Sequence, residues 1–143
     1  MRPSTLSLFA ASLLGSALAK PEQIRGVRDP IYHLYLQAHP TNDKIIEVVL
    51  LYLSVNTTMY LNVGTESTSY KSLTFGTTAS TDSWGLEGDT IMTKPGSALG
   101  RNLNFVVCRL EGSFWQLWLQ TGSDMPRGNS CSNYQTIHLP CLC

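Results

Sequence analysis

Apolar residues recur along this chain in short runs broken by turn residues, not in long helical stripes. Ile31 to Ala38 alternates, with Tyr32, Leu34 and Leu36 on one face and Ile31, His33, Tyr35 and Gln37 on the other. Trp115 to Gln120 (WQLWLQ) repeats the pattern, with Trp115, Leu117 and Leu119 set against Gln116, Trp118 and Gln120. The residues around the two segments do not continue the likeness, so they read as strands with the same packing role and not as an internal repeat. Ile45 to Ser54 is long enough for a helix, but its Ile-Ile and Val-Val pairs favour a strand.

Further strands are expected at Thr58–Val63, Tyr70–Phe75, Leu86–Ile91 and Asn133–Leu139. Leu103–Arg109 and Phe114–Gln120, joined through Glu111-Gly112-Ser113, form a predicted hairpin. His39-Pro40-Thr41-Asn42-Asp43 and the stretch from Thr121 to Ser132 read as loops. No segment offers a capped amphipathic helix. The pattern predicts an all-β chain, a small antiparallel β-sandwich or barrel, with its C-terminal third stapled by disulfides.

The ends of the chain set its compartment. Arg2, the apolar run Leu6–Leu18 and the small-x-small signal Ala17-Leu18-Ala19 read as a signal peptide over residues 1–19. A polar arm follows at 20–30, and a single β domain at 31–143. The expected product is secreted, extracellular or wall-bound, without membrane insertion once the signal is cleaved. The four cysteines, Cys108, Cys131, Cys141 and Cys143, fit two disulfides in an exported chain. All three pairings stay open on spacing alone, and Cys141–Cys143 would close the tightest ring. A metal site on Cys141, Cys143 and His138 fits an oxidising compartment poorly, so no metal and no cofactor is expected. Asn56-Thr57-Thr58 is a glycosylation sequon, usable at Asn56 on an exposed turn.

Ten basic and ten acidic residues balance, which argues against a nucleic-acid binder and the basic stripe it needs. Catalytic patterns are thin. Asp82, Glu87 and Asp89 flank Trp84 in a Gly-rich stretch, the residue types of a glycosidase's paired acids, but acids in such a turn are usually solvated. His33, His138, Glu87 and Arg109 have the residue types of a small ribonuclease, yet no spacing demands their assembly. His39, before Pro40, reads as a turn residue. There is no nucleophile elbow, and Lys94–Arg101 lacks the phosphate-loop pattern. No catalytic residue is assigned. The aromatic residues offer more: Trp84 and Trp118 are candidates for stacking on sugar rings, Trp118 with Gln116 and Gln120 beside it, whereas Trp115 is assigned to the core.

Several of these stretches together resemble a family of small secreted cell-wall proteins of filamentous fungi linked to phialide and conidium development. They are Tyr60-Leu61-Asn62-Val63, Leu73-Thr74-Phe75, Leu103-Asn104-Phe105-Val106-Val107-Cys108, Trp115-Gln116-Leu117-Trp118 and Cys131-Ser132-Asn133-Tyr134. The resemblance implies a Cys108–Cys131 bridge, leaving Cys141 and Cys143 to pair or stay free. The family's early cysteine pair is missing here, the CLC terminus is a departure, and no catalytic residues come with the family. The expected function is that of a non-enzymatic fungal surface or wall protein with wall polysaccharide as its partner and a role in development. The alternatives are a secreted effector or toxin-like protein acting on another organism's protein, such as a host's, and a small secreted hydrolase using Glu87, Asp89 or a histidine.

Overall fold

The computed structural model describes residues 23–39, 42–49, 59–126 and 130–140. The expected signal peptide, Asn56, Cys141, Cys143 and the end of the 45–54 run lie outside the described residues. Ten strands and no helix occur among those described. They are β1 (Arg25–Gly26), β2 (Tyr35–His39), β3 (Asn42–Val49), β4 (Tyr60–Val63), β5 (Tyr70–Gly76), β6 (Trp84–Glu87), β7 (Thr90–Thr93), β8 (Phe105–Arg109), β9 (Trp115–Gln120) and β10 (Ile137–His138).

The strands make one antiparallel sheet in the order β4-β5-β9-β3-β2-β1-β10-β7-β6, with β8 also paired to β9. The sheet is curled into a half-barrel, so the barrel-like form of the expected architecture is the one found. Strand β9 is its hub. Glu47 and Val48 of β3 pair with Gln116 and Trp115, while Tyr70, Lys71 and Ser72 of β5 pair with Gln120, Leu119 and Trp118. Strand β8 pairs along the whole of β9 from Phe105↔Leu119 to Arg109↔Trp115. Beyond β8, isolated bridges at Cys131 and Gln135 bring the chain alongside before it enters β10.

The β8–β9 hairpin forms as the sequence predicts. Leu110 N donates to Phe114 O at 2.9 Å, and Gly112, at φ 67°, supplies the left-handed conformation of the turn. The Leu86–Ile91 stretch is not one strand. Gly88 (φ 60°) and Asp89 break it into β6 and β7, a two-residue hairpin loop with glycine first. The polar arm is also more than an arm, since Arg25 and Gly26 pair with His138 and Ile137 in β10.

The two echoing segments behave differently. In β9, Leu117 and Leu119 are fully buried and Trp115 packs against the same core. In the earlier segment the chain turns at His33 (φ 61°) before β2 begins. Tyr32 is therefore exposed and Ile31 fully buried, the reverse of the alternation expected there. The core joins Ile31, Leu36, Ile46, Leu73, Phe105, Val107, Leu117, Leu119 and Ile137 on the inner face of the curl.

Candidate functional site

The disulfide Cys108–Cys131 is formed, and both described cysteines are accounted for by it. It ties the segment after the long loop to β8. Arg109 N donates to Ser130 O at 2.7 Å and Ser132 N to Val107 O at 2.8 Å. Gln135 and Phe105 exchange both backbone hydrogen bonds, at 2.7 and 2.8 Å. The chain from 130 to 135 is thereby fixed as a rail along the hairpin.

Facing this rail is the loop Arg28-Asp29-Pro30, which follows β1. The Arg28 guanidinium donates to Tyr134 O, and Gln135 Nε2 donates to Asp29 O at 2.9 Å. Between loop and rail lies an open groove of about 610 Å³ with Trp115 in its wall. One side of Trp115 meets the Arg109 guanidinium, 5.3 Å from the ring centroid. Ser130, Ser132, Asn133 and Gln135 supply hydroxyl and amide groups along the same groove. An indole beside convergent amides and hydroxyls can stack on an apolar ring face and hydrogen-bond its polar edge.

The aromatic residues singled out in the sequence sit elsewhere. Trp84 is half-buried, stacked on Phe105 at 6.4 Å, and its Nε1 donates to Leu61 O at 2.8 Å. Trp118 is half-buried and meets Tyr70 edge-on at 5.4 Å. Neither lines this groove; Trp115, read as core, does both jobs, packing on the core and forming the groove wall. Sequence reasoning missed Arg28, Asn133 and Gln135 as well. Their only shared signal is polar composition, because the contact joins positions more than a hundred residues apart.

The candidate acids and histidines are distributed among separate contacts. Arg101 clamps Glu87 with two hydrogen bonds of 2.6 and 2.5 Å, which lowers the carboxyl's pKa. His138 Nδ1 lies 2.9 Å from Asp89 Oδ1, and this bond lowers the Asp89 pKa. His138 Nε2 is 2.9 Å from the Thr136 hydroxyl. Carboxylate, imidazole and hydroxyl thus form a chain, the order used by hydrolases that activate an alcohol. Here the chain also fastens the β6–β7 turn to β10, where Thr90 pairs with His138 and Leu139 N donates to Asp89 O at 2.8 Å. Asp82 is exposed, and His33 occupies its exposed turn. Among the described residues no group of three His, Cys, Asp or Glu side chains is gathered to hold a metal.

A different buried carboxylate went unassigned in the sequence. Glu47 is fully buried; Gln37 Nε2 donates to Oε1 at 3.2 Å, while Oε2 has no hydrogen-bond partner and His39 Nε2 lies 3.9 Å away. Burial raises its pKa, against the opposing effects of Gln37 and His39. Its one trace in the sequence is a lone acid interrupting the Ile45–Val55 apolar run. No family model matches the chain, and neither curated proteins nor solved structures gave a match.

Proposed function

We propose that this protein is a non-enzymatic, secreted component of the fungal cell surface or wall, belonging to the developmental family it resembles, and that it holds wall polysaccharide in the Trp115 groove. The observation that carries the binding part is the groove itself, an indole flanked by amides and hydroxyls on a rail fixed by the Cys108–Cys131 bridge. The export signal over residues 1–19 and the balanced charge agree with that reading. The test is retention on insoluble β-1,3-glucan and chitin, paired with fractionation of the producing organism's wall. Wild-type protein is expected in the wall fraction and on at least one polymer, and Asn133→Ala, with unchanged thermal stability, is expected to weaken retention at least fivefold. Recovery of wild type only as a free protein that neither polymer retains contradicts the reading.

A small secreted hydrolase is the second reading, and the Asp89–His138–Thr136 chain is the observation in its favour. It requires a detectable hydrolytic activity that Asp89→Asn, His138→Ala and Thr136→Val each abolish while the fold persists. An activity that survives all three excludes it.

A further inference from the structure

The groove does not end at Asn133. A second depression, of about 460 Å³, shares Arg28 and Asn133 with it and continues past Ser123 and Met125 to Tyr134. A third, of about 260 Å³, begins at the same Tyr134 and runs to Asn102, Asn104 and Gln120. The second thus shares lining residues with both the first and the third. Tyr134 stands where the second and third meet, 42% exposed, its hydroxyl donating to Gly122 O at 2.9 Å.

The two ends are chemically alike. At one, Gln135 is buried with Nε2 donated to Asp29 O; at the other, Gln120 is buried with Nε2 donated to Gly122 O at 2.7 Å and Asp124 O at 2.6 Å. Because carbonyls only accept, these bonds fix which end of each amide is nitrogen. Both Oε1 atoms are left buried without a hydrogen-bond partner. The accessible amides at the two ends are Asn133 and Asn104, which can hydrogen-bond the hydroxyl or N–H groups of a ligand. Two arginines line the run: Arg28 donates to Tyr134 O, and Arg101 is clamped by Glu87. Amides, hydroxyls and aromatic rings outnumber charged groups along the run, a lining that suits a neutral polyhydroxylated ligand.

We infer that the three depressions are one trough, with successive subsites for a linear, neutral polysaccharide chain, Trp115 at one end and Asn104 with Gln120 at the other. The inference rests on the glycan reading above and extends it from a single groove to an extended chain. Each added unit meets new amide and ring surface, so affinity rises with chain length until the trough is filled.

Calorimetric titration with β-1,3-glucan and chitin oligomers of two to eight units tests this. The expected result is an affinity at least about tenfold greater for the hexamer than for the dimer. Asn104→Ala and Tyr134→Ala should erase most of that gain. Raising the salt tenfold should change the affinity by less than about twofold, because the proposed ligand carries no charge to screen. Equal affinity for dimer and hexamer, with Asn104→Ala silent, overturns the trough and leaves the Trp115 groove standing. Binding only to a carboxylated or sulfated polymer, lost on adding salt, overturns the neutral-ligand assignment. No binding of any oligomer to the wild type removes both the trough and the glycan reading beneath it.

Discussion

At the scale of single residues, burial decides which polar groups matter. Glu47 is sealed into the sheet with one oxygen unpartnered, and burial raises its pKa. The folded protein therefore holds this proton to higher pH than the unfolded chain does. The sign follows: its contribution is fully present below the unfolded carboxyl pKa and is lost as pH rises through the raised folded value. Glu47→Gln keeps the shape without the charge. Melting temperatures of parent and variant, followed from about pH 4 to about pH 8, should diverge in the variant's favour as pH rises. Parallel curves would show that Glu47 does not titrate differently on folding. Asp89 has the opposite sign, since the bond to His138 lowers its pKa, and its contribution is lost as pH falls through the folded value. Trp84 is a residue of the core wall with one anchored hydrogen bond. Trp84→Phe should cost about 1 kcal/mol in chemical denaturation by leaving Leu61 O without its donor. No measurable loss would place the indole N–H in solvent.

At the scale of elements, period-two patterning was legible wherever a strand had one core face. Leu117 and Leu119 of β9, against Phe105 and Val107 of β8, could be read directly, and so could the glycine turn between the strands. The Leu86–Ile91 stretch was misread because its apolar ends match a single strand, while Gly88 and Asp89 act through backbone conformation. Gly88 sits at φ 60° with open space where a Cβ would stand. Gly88→Ala should therefore destabilise by about 1 kcal/mol from backbone strain alone, and Gly88→Asn by less. Equal stability of all three forms would mean the turn relaxes. The Tyr32 face was misread for a similar reason, since His33 turns the chain one residue after Tyr32. The rail from Ser130 to Gln135 depends on the Cys108–Cys131 bridge. Reducing it should lower stability by about 2–4 kcal/mol, with amide exchange rising first along the rail and the β8 edge. Exchange rising first in β2 would contradict that dependence.

At the scale of the whole molecule, the fold class was legible and the trough was not. Short alternating runs with regular turns imply a curled antiparallel sheet whichever way the strands are threaded. The trough is a product of the threading. It brings Arg28 beside Tyr134, and Trp115 beside Ser130 and Asn133, and no local pattern records those meetings. Trp84 and Trp118 lie half-buried outside the trough, whereas Trp115 both packs on the core, as its sequence pattern implies, and lines the groove. The pairing of β10 with β1 also explains why a short polar arm is held, because β1 is the strand between β2 and β10. The central claim is that this threading builds an extended surface for a neutral glycan. An amide-resolved NMR titration of the wild-type protein with glucan and chitin hexamers tests it most directly. The account predicts shifts confined to a continuous band through Arg28, Trp115, Asn133, Tyr134 and Gln135 and onward to Asn104 and Gln120. Unmoved resonances at millimolar hexamer, or shifts centred on Asp89 and His138 instead, would contradict it.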